Sequence, residues 1–257
     1  MLQVRASASV MTRVPGAQYL LRAHRRRPSV DGSVPRHHAT QEMNIAPRVM
    51  AWLLVVGLPL AAYGGSSDRK ELQAVLQARP DKTHGERLFA PCTGCHGSFG
   101  GGAQDGSVPA LAGQHFSTIA GQLVDFRHDR RWSAYMEHYA DVHNLGDVQD
   151  LADVAAYTSA LSPVRSPGIG DGQFVIHGAG IYLRFCGSCH GTAAQGDNRR
   201  AYPRLAGQHY GYLLRQMQDG VEGRRVNFDR AHVRLLRRFG QSDFEGLADY
   251  LARAGDR

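Results

Sequence analysis

The chain has 257 residues, 42% of them hydrophobic and 21% charged, with a formal net charge of +7. That length admits one large domain or two small ones. Eight arginines and two acids fall in residues 1–64, so residues 65–257 carry 22 basic and 21 acidic side chains. A nearly neutral body argues against nucleic acid as a partner, because such binding needs a basic surface that displaces counterions.

Residues 1–42 are rich in arginine, as in Arg25-Arg26-Arg27, and lack hydrophobic periodicity. They read as an over-extended N-terminus ahead of a start at Met43, the alternative being a basic tail on a membrane-anchored protein. From Met43 a short basic region ending at Arg48 leads into an apolar run, Val49 to Ala62, and then into small residues. Residues 43–64 therefore read as a secretory signal peptide, too short in its apolar core to span a bilayer, which places the mature chain in the periplasm.

Asp68 to Arg79 has Leu72, Val75 and Leu76 at helical spacing and is predicted as an amphipathic helix. Then comes Cys92-Thr93-Gly94-Cys95-His96, and 94 residues later Cys186-Gly187-Ser188-Cys189-His190. C-x-x-C-H is the attachment signature of a c-type haem, in which both thiols become thioethers and the adjacent histidine binds the iron. A thioredoxin-type pair or a four-thiolate zinc site also uses C-x-x-C. Neither requires the histidine that follows both pairs, and no strand-then-helix context surrounds them. All four cysteines of the chain lie in these motifs. The expected cofactors are two covalent haem c groups, attached at Cys92, Cys95, Cys186 and Cys189, with His96 and His190 as proximal ligands.

A glycine-rich loop follows the first motif. Val108-Pro109-Ala110-Leu111-Ala112-Gly113-Gln114-His115 is then answered by Tyr202-Pro203-Arg204-Leu205-Ala206-Gly207-Gln208-His209. Proline has no amide donor but offers a carbonyl, which suits Pro109 and Pro203 to accept the N–H of the iron-bound histidine. His115 and His209 are predicted to face solvent. Helices are predicted at Gln114 to Phe126 and Gln208 to Met217, and closing helices at Val148 to Leu161 and Ser242 to Ala254, the last begun by a Ser242/Glu245 capping box. The intervening stretches read as irregular. Two prolines and two glycines between Leu161 and Gly170 make residues 163–172 a linker. The fold class is all-α: two tandem domains, residues 65–162 and 173–257, each wrapped round one haem.

A six-coordinate haem needs a second axial group. Counted at the same 94-residue period, His232 answers His138, and an arginine pair precedes each, so bis-His ligation by His138 and His232 is expected. Met136 and His143 remain alternatives in the first half. Met217 answers Leu123 inside a predicted helix and is a poor candidate. His84, His128 and His177 read as surface or satisfied side chains.

On the paired C-x-x-C-H-G motifs, the Pro-x-Leu-Ala-Gly-Gln segments and the closing Leu-Ala-Asp helices at Leu151 and Leu247, the chain resembles the dihaem cytochrome c4 family from about Gly65 to Arg257. The resemblance implies a periplasmic electron carrier of two cytochrome c domains related by a pseudo-twofold. The family pattern places a methionine before the last helix; histidine there lowers the potential. The expected function is single-electron transfer between donor and acceptor proteins of a respiratory or dehydrogenase-linked chain. Association with a membrane-bound oxidoreductase is compatible, as is a monomer or a homodimer. The alternative is a dihaem peroxidase-like oxidoreductase in which one distal ligand dissociates; the carrier itself needs no catalytic residue.

Overall fold

A computed structural model of the protein describes residues 67–163 and 167–256. The predicted leader and the segment before it lie outside the described residues. The first half is built from α1 (Ser67–Gln77), α2 (Lys82–Phe89), α3 (Thr93–His96), α4 (Phe116–Arg127), α5 (Ala134–Ala140) and α6 (Val148–Ala160). The second follows with α7 (Val175–Ile181), α8 (Gly187–His190), α9 (Tyr210–Val221), α10 (Arg230–Leu236) and α11 (Gln241–Arg253). Among the described residues the one departure from helix and loop is an isolated bridge between Asp197 and Tyr202. The fold is all-α, and no described helix is long and apolar enough to cross a membrane.

Side-chain caps set several helix starts, because the first N–H groups of a helix have no partner within it. The Asp81 carboxylate accepts from Thr83 and His84 ahead of α2, and Asp147 accepts from Gln149 and Asp150 ahead of α6. The predicted Ser242/Glu245 box is corrected: Gly240 is the N-cap of α11, and its N–H donates to Asp243 Oδ2 at 2.8 Å.

In each half the helix entering the haem motif crosses the closing helix at a glycine. A Cβ on Gly85 would stand 2.1 Å from the Asp153 carbonyl oxygen, and one on Gly178 would stand 2.0 Å from that of Gly246. No other residue lets α2 meet α6, or α7 meet α11, at that separation. The cores so closed hold Val75, Phe89, Val124 and Leu151 in the first half and Tyr182, Phe244 and Leu247 in the second. Burial of each large apolar side chain contributes about 1.5–3 kcal/mol. Helix α1 is tied to the end of α4 and the residues after it: Glu71 meets Arg127 at 2.5 Å and His128 at 2.6 Å, and Asp68 meets Arg130 at 2.6 Å.

Helices α5 and α10 occupy stretches the sequence reads as irregular. Their N-caps are Ser133, which accepts from the Met136 N–H at 3.3 Å, and Asp229, which accepts from Ala231 at 2.7 Å. The described part of the linker runs along the second half. The Gly168 N–H donates to His209 Nδ1 at 3.0 Å, and the Gly170 and Gly172 N–H groups donate to Asp249 at 2.9 and 2.7 Å.

Candidate haem-binding sites

Each C-x-x-C-H segment ends in a single helical turn, α3 or α8, which sets both cysteines and the histidine on one short arc. His96 Nδ1 lies 3.1 Å from the Pro109 carbonyl oxygen and His190 Nδ1 3.1 Å from that of Pro203. A ring nitrogen facing a carbonyl must carry the proton, so Nε2 is left with its lone pair for iron. Burial pushes both imidazoles below their ordinary pKa, and the proline carbonyls oppose that shift. Neutral imidazole is the form a metal binds.

In the first half these residues open onto a cleft lined by Phe89, His96, Leu111, Leu123, Met136 and Leu145, among others. The walls are almost wholly apolar, as the face of a porphyrin requires, and Met136 places a thioether in the same cleft as His96. His138 does not join them. Its side chain is exposed, as is that of His143. His138 is thus not among the residues that line this cleft with His96.

The reason is register. The repeat keeps its 94-residue period through Arg131 and Arg225, but the N-caps Ser133 and Asp229 and the helices that follow them stand 96 residues apart. Two extra residues enter the second half before α10. Met136, third in α5, answers His232, third in α10. His138 answers the exposed Arg234.

In the second half the His190 and His232 rings face one another with centroids 6.2 Å apart. With this spacing the two imidazoles would be able to hold one haem iron between them. Phe228, just after the two extra residues, packs edge-on against His232 at 4.8 Å. Burial, and then the neighbouring His190 and Arg225, hold the His232 pKa low. Met217 packs against the core of this half.

The halves meet through matched hydrogen bonds. The Gln208 side chain accepts from Ala110 N–H at 2.9 Å and donates to Ala110 O at 2.8 Å, while Gln114 does the same with Arg204, at 2.9 Å in both directions. His209 Nε2 donates to Gly101 O at 2.7 Å and His115 Nε2 to Gln195 O at 2.8 Å. The prediction that these histidines face solvent is corrected: His209 is 1% exposed. Their positions at the starts of α9 and α4 aim them across the contact.

The sequence reading also missed a half-buried cation pair in this contact. Arg131 donates to Gln122 at 2.6 Å, Tyr212 at 2.7 Å and Gln216 at 3.0 Å. Arg225 donates to Gln216 at 2.9 Å and Gln122 at 3.1 Å. Each guanidinium stacks on a phenyl ring, Arg131 on Phe126 at 4.7 Å and Arg225 on Phe228 at 4.2 Å. Burial first, and then Arg131, push Arg225 down to about 10. Its signal was the arginine pair repeating at the 94-residue period.

The Cytochrome c family profile matches residues 83–162 and again 175–252, more than half of the chain. Cytochrome c4 of Azotobacter vinelandii is 32% identical over 197 residues, which covers 70% of this chain and 92% of that protein. The chain belongs to the cytochrome c4 family. A crystal structure of reduced recombinant cytochrome c4 from Pseudomonas stutzeri superposes with a TM-score of 0.61 at 25% identity, covering 68% of this chain and 98% of that one. A protein named thiosulfate dehydrogenase electron acceptor, from Stutzerimonas stutzeri, is 28% identical over 177 residues, 65% of this chain and 80% of that protein. As a member of the cytochrome c4 family, the chain is a dihaem c-type cytochrome that carries electrons, with haem c bound covalently at Cys92/Cys95 and at Cys186/Cys189.

Proposed function

We propose that this is a periplasmic electron carrier whose two haems differ in their distal ligand, His96 and Met136 serving the first and His190 and His232 the second. The bound haems supply one-electron chemistry between ferric and ferrous iron, and the chain's own residues supply ligation, burial and a fixed separation. One observation carries the reading: at the same place on the same short helix, opposite the same kind of histidine, one half presents a thioether and the other an imidazole.

Thioether ligation favours ferrous iron, whereas a second imidazole favours ferric iron, so the first haem has the higher potential. Electrons then enter at the second half and leave from the first. The similarity to a thiosulfate dehydrogenase electron acceptor supports a dehydrogenase as the kind of protein that supplies them, and the leader-like residues 43–64 support the periplasm as the carrier's compartment. The carrier reading has no need of a ligand that dissociates. Potentiometric titration tests it: two well-separated one-electron waves are expected, and two haems titrating as one contradict it.

A further inference from the structure

The surface round the second haem site is unlike that round the first. Arg184 and Arg238 lie on the ring of Phe185, with guanidinium carbons 5.3 and 5.1 Å from its centre, and Phe185 is the residue before Cys186. Arg230 and Arg234 flank His232 on α10, and Arg237 follows it. All five side chains are exposed. The ion pairs among the described residues of this half use other arginines, namely Arg200, Arg224 and Arg253. The corresponding residues of the first half are Ala90, in the register of the C-x-x-C-H motifs, and Val142, Ala134, His138 and Asp141, in the register of α5 and α10. Nearby on that half Trp132 and Tyr135 are each 79% exposed.

None of the five guanidiniums forms an ion pair among the described residues, and against them stands Asp229, the N-cap of α10, which acts on Arg234, so positive charge predominates around Phe185 and His232. Arginine differs from lysine in being weakly hydrated and held flat by stacking, which suits it to meet carboxylates across a protein contact. We infer that the arginine face around Phe185 and His232 is the docking surface for an acidic protein that donates single electrons to the second half. The donor loses one electron and the second half gains one; no bond forms or breaks. The choice of donor over acceptor rests on the ligand reading above, which gives this half the lower potential.

The test uses the oxidised holoprotein and reduced plant-type ferredoxin, an acidic one-electron donor protein, with reduction followed in the haem bands. From about 0.01 to 0.15 M ionic strength the Debye length shrinks from about 30 to 8 Å, and the rate is expected to fall about tenfold or more. The variant R184E/R238E, checked for an unchanged haem spectrum, is expected to react about tenfold more slowly at low salt and to lose that salt dependence. R234Q/R237Q gives a smaller loss in the same direction. V142E in the first half leaves the rate unchanged, and hexaammineruthenium(II), a cation, reduces R184E/R238E at least as fast as the parent.

A rate indifferent to salt and to these arginines overturns the proposal, as does a rate lost in V142E. Arginine-dependent binding to phosphatidylglycerol vesicles with no effect on ferredoxin overturns it in favour of a membrane surface. Finding the same ligands on both haems removes the assignment of the partner as donor, whatever the salt dependence, and so separates that failure from failure of the docking face.

Discussion

The two halves share a scaffold and differ at the residues proposed here to set potential and partner choice. Both bring a C-x-x-C-H turn against a proline carbonyl at the same 3.1 Å, and both aim a glutamine and a histidine across the contact. They part company at α5 and α10. A two-residue difference in the approach to these helices leaves Met136 beside His96 in one half and His232 opposite His190 in the other, and the lengthened approach braces the change. Phe228 packs on His232, and Asn227 Nδ2 donates to Asp125 Oδ2 of the first half at 2.7 Å. A duplicated fold can thus hold its proximal side constant while its distal side drifts, because the distal residue sits on a short helix bounded by loops.

Breaking one half entirely gives the largest effect. Replacing Cys92 and Cys95 together by alanine should leave one covalent haem per chain instead of two, read by mass and by haem content, with the second half's spectrum retained. Next, Met136→His should erase the difference between the halves. It is expected to lower the first potential by on the order of 100 mV, within the roughly 0.8 V that axial ligands command, so that two potentiometric waves move together. His232→Met should raise the second by a similar amount.

The two arginines at the contact sharpen the comparison further. A cation near an iron favours its ferrous state, so Arg225→Gln should lower both potentials. The expected size is tens of millivolts, that of a unit charge roughly 10 Å away at an effective dielectric near 20. The second haem should shift more, because Arg225 stacks on the phenyl ring that supports His232. At the contact, Gln208→Ala leaves the buried N–H and C=O of Ala110 without partners and should cost about 1–3 kcal/mol in thermal or denaturant unfolding. Gln114→Ala should cost less, since its partners on Arg204 are only partly buried. The smallest effect is expected from His138→Ala, which should leave both haem spectra and both potentials unchanged.

What the sequence disclosed was whatever chemistry fixes at short range. The haem attachment residues, the proline that orients each proximal imidazole and the closing helices with Leu151 and Leu247 are all local patterns. The register of the distal side is not local. A gapless count from Arg131 and Arg225 pairs His138 with His232, and nothing in the residues themselves marks Val226 and Asn227 as extra. The break shows only when Ser133 and Asp229 cap their helices, and a seven-residue helix is too short to announce itself by periodicity. His115 and His209 were misread for a related reason: a histidine at a helix start looks exposed until a second domain closes over it.

The most direct measurement is low-temperature electron paramagnetic resonance of the fully oxidised protein, taken with near-infrared magnetic circular dichroism to distinguish thioether from imidazole ligation. The account predicts one histidine–methionine and one bis-histidine low-spin haem in equal amounts, with the thioether signature abolished by Met136→His and untouched by His138→Ala. Two bis-histidine haems, or a thioether signature that survives Met136→His, would contradict it.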